Sequence, residues 1–295
     1  MHIALATCHE LPDWEVDDTP FHRALQARGA PLSHPPWNDR EVSWADFDAV
    51  LIRTTWDYWH HHQEFVAWAA AVERCTKLFN PAKVVRWNTD KHYLQQLHDA
   101  GIPIAPTHWL TQGTSPDLRS LLKQRGWAAG FIKPVVGASA SDTCRFTWDS
   151  IDVAQAHLSA LLQRQDAMLQ PYLAQVETLG ELSAVVIDGT ISHGVRKVPV
   201  PGDYRVQDDY GASDEPHVLT PQACALAERA CQAAMTLLGM HAPPLYARVD
   251  FLCGDDDTLL LNELELVEPS LFFRHAPHAA GRLADALLHR ITALS

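Results

Sequence analysis

The stretch "LLLNELELVEPSLFF", residues 259–273, is apolar enough for a buried strand yet carries Glu263, Glu265 and Glu268 within six positions. Side chains two apart on an extended chain share a face, so Glu263 and Glu265 project together while Leu260, Leu264 and Leu266 turn the other way. Two anions held side by side on a half-buried face repel each other and lose hydration, so the pair calls for a cation. Just upstream, "PLYARVDFL" (244–252) places Arg248 and Asp250 on one face, with Val249 and Phe251 opposite. If these strands pair as a hairpin across the acidic turn "CGDDD", one face presents Asp250, Glu263 and Glu265 with Arg248 beside them. Three oxygen donors without a thiol or imidazole describe a hard-cation site, and magnesium takes a few carboxylates together with phosphate oxygens. An adjacent arginine suits a transferring phosphoryl group, whose charge it neutralises. The competing reading is a surface salt-bridge cluster, and the apolar opposite faces argue against a solvated ribbon.

The whole chain is compatible with such a site. It has 295 residues, 47% of them apolar, enough for one large domain or two ordinary ones. Its formal charge, 23 − 36 = −13, comes with no basic run, which excludes a nucleic-acid-tracking face and points to a small substrate. Six cysteines without a CxxC pair, and no cationic apolar leader, fit a reducing cytoplasm. The longest apolar run, "FVAWAAAV" (65–72), is too short to span a bilayer. His60–His62 lack a second cluster at ligand spacing and read as a solvated helix start. A homo-oligomer is compatible with the chain.

Strand and helix alternate over the first 103 residues. "HIALAT" is a strand, and "DDTPFHRALQARG" a helix capped by Thr19 with Pro20 at its first position. "FDAVLIRTTWDY" is a second strand, followed by a helix from "HHHQEFVAWAAAVERC", which together predict an open parallel α/β domain over 1–103. "TDKHYLQQLHDAG" reads as a further helix capped by Thr89, and "IPIAPT" marks the boundary. Residues 104–175 read as a central lid domain with strands "GFIKPV", "CRFTW" and "AMLQPYL". Residues 176–295 form a C-terminal antiparallel-sheet domain: a hairpin over 180–199 turning at Asp188-Gly189, a long helix after Thr220-Pro221, the two acidic strands and a closing amphipathic helix.

Phosphate chemistry asks for lysines and a loop of small residues. Lys133 ends "GFIK" directly before a loop in which Gly137, Ala138, Ser139, Ala140 and Ser141 allow backbone N–H groups to approach phosphate oxygens. The loop matches neither the P-loop nor GxGxxG. Lys91 falls in the first turn of the Thr89-capped helix, where the macrodipole disfavours a cation, and a nearby phosphate would remove that anomaly.

The ordered set Lys91, Lys133 with its loop, "LQPYL", "GELSAVV", Lys197, "RVD" and "NELE" resembles the ATP-grasp ligases over about residues 90–268. The resemblance implies an ATP-grasp fold with ATP and Mg2+, two ions, as cofactors. It implies that Lys91, Lys133 and Lys197 hold phosphates and that the loop from Gly137 to Thr143, with Ser139 and Ser141, closes over them. Gln170, Pro171, Tyr172 and Leu173 would form the adenine-reading hinge, with Glu181 on the ribose and Glu177 as second candidate. Asp250, Glu263 and Glu265 would ligate the metal, and Arg248 would stabilise the transferred phosphoryl group. Where the family commonly has Glu-x-Asn this chain has Glu263-Leu-Glu265, which leaves a register shifted onto Glu265 and Glu268 open. "GDYRVQDDYGAS" resembles the loop used near the acyl phosphate, which makes Arg205 a further candidate.

Substrate recognition is expected where the first sheet's strands end, at Arg53, Thr55 and Asp57 in "LIRTTWDYW". His193, on the face of Lys197, and Glu268, beyond the metal pair, complete the substrate candidates. "RTTWDY", "SHGVRKVPVPGDYRVQDDYG" and "ELELVEPSLF" are similar to the cycloserine synthetase group. That likeness implies phosphorylation of the O-ureido-D-serine carboxylate, ring closure by the ureido nitrogen, and loss of carbon dioxide and ammonia to leave D-cycloserine. An intermolecular carboxylate–amine ligase of the dipeptide or glutathione type, and a non-catalytic ATP-binding protein, are the alternatives. The first needs a separate amine, and the second would tolerate loss of Asp250.

Overall fold

Three sheets follow one another along the chain in the computed structural model, which describes residues 1–11, 16–207, 210–254 and 256–293. The first contains β1 (Ile3–Thr7), β2 (Leu32–Ser33), β3 (Ala49–Thr54) and β4 (Lys77–Phe79) in the order β2-β1-β3-β4, with every pairing parallel. β1 and β3 are buried on both faces, as a covered parallel sheet requires. Ile3, Leu5, Ala49 and Leu51 face one core with Phe21 and Leu25 of the helix Thr19–Ala27 and Leu283 and Leu287 of the closing helix Pro277–Ala293. Ala4, Ala6, Val50 and Ile52 face another, under Phe65, Ala69 and Val72 of the helix His62–Glu73.

The second sheet, antiparallel, comprises β5 (His108–Leu110), β6 (Ala129–Pro134), β7 (Cys144–Thr147) and β8 (Ala167–Pro171) in the order β5-β8-β6-β7. The helices Leu118–Arg125 and Ile151–Leu161 back it. The third comprises β9 (Glu181–Ile187), β10 (Thr190–Val198), β11 (Ser213–His217), β12 (Tyr246–Cys253) and β13 (Leu259–Glu265), antiparallel in the order β11-β10-β9-β12-β13. The β9–β10 hairpin turns at Asp188-Gly189, both at positive φ, as expected. The helix Pro221–Leu237 covers one face of this sheet, packing Leu226, Ala227 and Ala230 against Val249, Phe251 and Leu264. The opposite face carries the polar side chains. The parallel first sheet and the antiparallel C-terminal sheet are as the sequence reading expected; the central domain, for which it gave strands without an orientation, is antiparallel too.

Local details depart from that reading. The helix Thr19–Ala27 has Asp18, not Thr19, at its cap position, with no side-chain cap bond. Asp18 instead receives two bonds from Arg53, at 2.8 and 2.9 Å. The helix read over 89–101 is Tyr93–Asp99, with His92 at its N-cap, and Thr89 instead ends a preceding helix, Ala82–Asn88, at its C-cap. Lys91 lies between the two helices, just before the N-cap His92 of the second. In β13 the pairing steps from Asp250↔Glu263 to Phe251↔Leu261, leaving Asn262 as a bulge. The bulge shifts the alternation by one, so Leu261, not Leu260, joins Leu264 and Leu266 in the core. Asp255 of the acidic turn and Asp208 and Asp209 of "GDYRVQDDYGAS" lie outside the described residues.

Candidate active site

A cavity of about 310 Å3 opens between the second and third sheets, at the small end of the roughly 300–1,000 Å3 typical of small-molecule sites. The β12–β13 register sets its floor: Asp250 stands opposite Glu263 and Arg248 opposite Glu265. All four side chains line the cavity, together with Lys91, Lys133, Glu181 and Lys197.

Every acidic group here is matched to a cation or a donor. Asp250, 1% exposed, accepts from Arg248 Nε at 3.0 Å and Nη2 at 3.0 Å, from Ser183 Oγ at 2.6 Å and from Lys197 at 3.2 Å. Burial works against its charge, but Arg248 and Lys197 outweigh it and hold its pKa at about 2. Lys197 also pairs with Glu181, and Arg248 with Glu265. Lys133 donates to Asn262 Oδ1 at 2.7 Å, and Asn262 Nδ2 donates to Glu181 at 2.5 Å. The bulge thus turns Asn262 to the same side as Glu263. Burial pushes Glu263 up, yet Lys91, 3.8 Å away, and Lys133 prevail and keep it below the ordinary range.

Charge balance changes toward the far end. Burial lifts Glu265 to about 8 against the pull of Arg248, and Glu268 to about 7 against Lys91 and Arg248. Glu268 also accepts a hydrogen bond from Tyr58, and its backbone carbonyl accepts from Trp56 Nε1 at 3.0 Å. Glu263 and Glu268 both disfavour charge on Glu265, and Glu263 disfavours it on Glu268, so an added cation is favoured at this end. Among the described residues no three acidic, imidazole or thiol groups form a ready cage for a metal. The donor set fits magnesium, which keeps waters and takes one or two carboxylates with substrate phosphates.

The small-residue loop forms the roof. Gly137, Ser139 and Ser141 line the cavity, and Lys91 Nζ donates to the Gly137 carbonyl at 2.8 Å. Ser139, Ala140 and Asp142 take left-handed backbone, a conformation that costs about 1 kcal/mol or more at each non-glycine residue. The loop is braced from the other side by Tyr204, 3.1 Å from Thr143 Oγ1, and by Tyr210, which donates to the Ser139 carbonyl at 3.1 Å. Arg205, from the same bracing loop, lines the cavity and is held by Asp203. Gln170, Pro171, Tyr172 and Leu173 form the side wall. Glu177 lies outside the lining, where it accepts from the Tyr172 hydroxyl at 2.5 Å and from Arg145 at 2.7 Å.

Four expected substrate residues are not brought to the cavity. Arg53 is 2% exposed and committed to Asp18 and the Pro269 carbonyl. Thr55 is fully buried, Asp57 accepts from Trp37 at 2.6 Å, and His193 bonds the Leu271 carbonyl at 3.0 Å. Trp56 and Tyr58, of opposite parity, reach the cavity instead. Sequence reasoning missed Asn262, Ser183, Phe272 and Arg274. Only Asn262 carried a signal, its place inside the acidic motif.

Residues 3–80 match the family model described as D-cycloserine synthetase DcsG, N-terminal domain. The cycloserine biosynthesis protein DcsG of Streptomyces lavendulae is 32% identical over 291 residues, 94% of each chain. The crystal structure of D-cycloserine synthetase DcsG superposes with a TM-score of 0.90 at 29% identity, covering 99% of this chain and 100% of that one. The ATP-grasp ligase PsnB, complexed with minimal precursor, Mg and ADP, aligns over 98% of both chains with a TM-score of 0.64 at 17% identity, a likeness of fold.

Proposed function

The chain belongs to the D-cycloserine synthetase (DcsG) family of ATP-grasp ligases, and on that footing we propose that it cyclises O-ureido-D-serine to D-cycloserine. It is a ligase that forms C–N bonds using ATP with Mg2+. In the proposed reaction the substrate carboxylate takes the γ-phosphoryl group of ATP, and ADP leaves. The nitrogen bonded to the side-chain oxygen then attacks the acyl carbon, loses its proton and expels phosphate. Water removes the carbamoyl group as carbon dioxide and ammonia.

The observation that carries this reading is the placement of Asp250 opposite Glu263 in a cavity shared with Arg248, Lys91 and Lys133. Positioning and charge neutralisation dominate phosphoryl transfer, so no protein nucleophile is required. We assign Lys91, Lys133 and Lys197 to the phosphates, under the loop of Gly137, Ser139 and Ser141. Gln170, Pro171, Tyr172 and Leu173 are assigned to adenine. For the ribose, Glu181, which lines the cavity, is assigned, with Glu177 beside the hinge tyrosine as second candidate. Asp250, Glu263 and Glu265 are assigned to two magnesium ions, which when bound neutralise phosphate charge. Arg248 is assigned to the phosphoryl group, Arg205 to the acyl phosphate and Glu268 to the substrate ammonium.

The test is ADP release by purified enzyme with single amino acids. The reading expects O-ureido-D-serine alone to support release and to yield D-cycloserine. Release only upon adding a separate amine would instead indicate an intermolecular ligase.

A further inference from the structure

Arg53, Thr55 and Asp57 lie outside the cavity, but the same end of the first sheet grips the chain beyond β13. Past Glu265 that chain leaves the third sheet, and side chains meet four consecutive backbone carbonyls. Asn80 Nδ2 donates to Leu266 at 2.7 Å, the Tyr246 hydroxyl to Val267 at 2.8 Å, Trp56 Nε1 to Glu268 at 3.0 Å and Arg53 Nη2 to Pro269 at 3.1 Å. Three of these donors stand at the carboxyl ends of β3 and β4 or just after them. The fourth, Tyr246, begins β12, and its hydroxyl is also 2.8 Å from the Ile52 carbonyl of β3. A carbonyl removed from water needs a donor, so a course that satisfies all four is strongly preferred.

Within this held segment Glu268 is the side chain that lines the cavity. Its carboxylate accepts from the Tyr58 hydroxyl. Tyr58 is itself fixed: it is 5% exposed, and its ring stacks on Phe65 with centroids 5.0 Å apart. Trp56 and Tyr58, two positions apart on one loop, therefore hold Glu268 at both its backbone carbonyl and its carboxylate. A purely structural clamp between the first and third sheets accounts for Arg53, Asn80 and Tyr246, all buried and all outside the cavity. Trp56 and Tyr58 differ from them, because both line the cavity together with Glu268. The geometry points to Trp56 and Tyr58 as positioning residues that fix the Glu268 carboxylate where it meets the substrate ammonium. This rests on the assignment of Glu268 to that ammonium. A carboxylate oriented before the substrate arrives loses little further rotamer freedom on binding, which is the advantage of holding it at two points.

The test measures KM for O-ureido-D-serine and for ATP separately, by ADP release, in wild type, Trp56→Phe, Tyr58→Phe, Glu268→Gln and the combination of Trp56→Phe with Glu268→Gln. Phenylalanine keeps an aromatic ring at each position and removes the donor. KM does not depend on the concentration of folded enzyme, so partial misfolding leaves it readable. Glu268→Gln should raise the KM for the amino acid roughly 10–100-fold, the scale of one charge-assisted hydrogen bond, and each phenylalanine variant about 5-fold, with the KM for ATP unchanged throughout. In the Glu268→Gln background Trp56→Phe should add almost nothing, because it acts through the carboxylate already lost. A phenylalanine variant with the wild-type KM, a KM for ATP that rises in step, or a Trp56→Phe effect undiminished in the Glu268→Gln background overturns this inference alone. A Glu268→Gln enzyme with the wild-type KM for the amino acid overturns the ammonium assignment, and this inference with it.

Discussion

Replacing Asp250 by Asn removes one charge and almost no volume from the centre of the site. The amide keeps one oxygen able to accept from Ser183 or Arg248 Nε, but its NH2 then confronts Arg248 Nη2 or Lys197, both donors, now 3.0 and 3.2 Å from the carboxylate. Breaking a buried ion pair usually costs about 3–5 kcal/mol. Here Arg248 retains Glu265 and Lys197 retains Glu181, which places the expected loss near the lower bound, about 3 kcal/mol. Catalysis should suffer more, by roughly 10²–10³-fold in kcat, the scale of losing one preorganised electrostatic group. Urea unfolding with and without nucleotide, beside ADP release, separates the two effects. Ser183→Ala is the control: it deletes only the 2.6 Å donor and should cost about 1 kcal/mol. An Asp250→Asn enzyme that unfolds at the wild-type midpoint and releases ADP within a few-fold of the wild-type rate would refute the reasoning.

Asn262→Ala strips Lys133 of its 2.7 Å acceptor and Glu181 of its 2.5 Å donor; about 2–4 kcal/mol of stability should go and the KM for ATP should rise, and an unchanged KM would mean the bulge does not aim Lys133. Gly180→Ala puts a Cβ against the Lys197 carbonyl at φ 73°, a conformation nearly exclusive to glycine, so urea unfolding should register a loss of roughly 2–4 kcal/mol. His22, stacked on His34 with ring nitrogens 3.2 Å apart, is held by burial, then by His34 and Arg53, at about 3. Its folded pKa lies below the unfolded value of about 6.5, so the stabilisation is complete above that pH and is lost at about 1.4 kcal/mol per pH unit as pH falls toward 3. His22→Gln should therefore show a flatter decline in urea midpoint between pH 6.5 and 5; parallel declines would contradict this.

The alternation that made Glu263 and Glu265 neighbours, and Arg248 and Asp250 neighbours, survives in the structure because each pair lies within an unbroken stretch of strand. The alternation failed at Leu260, since a bulge leaves no mark in residue periodicity and depends on the partner strand. Thr89 was misplaced because Ser, Thr, Asn and Asp can satisfy either end of a helix, and its hydroxyl donates back to the Val85 carbonyl at 2.8 Å. Arg53 looked available because its partner, Asp18, is 35 residues away, and nothing local announces so distant an ion pair. Arg274 was invisible for the same reason: its ion-pair partners Asp17 and Asp214 lie 257 and 60 residues away.

In the proposed site Asp250 and Glu263 jointly bind the cation that accompanies the nucleotide's terminal phosphates. Calorimetric titration of a non-hydrolysable ATP analogue, with and without magnesium, tests it in wild type and Glu263→Gln. Magnesium should tighten binding at least about 10-fold in the wild type and have little effect in the variant. Affinity independent of magnesium in the wild type, or an undiminished magnesium effect in Glu263→Gln, would contradict it.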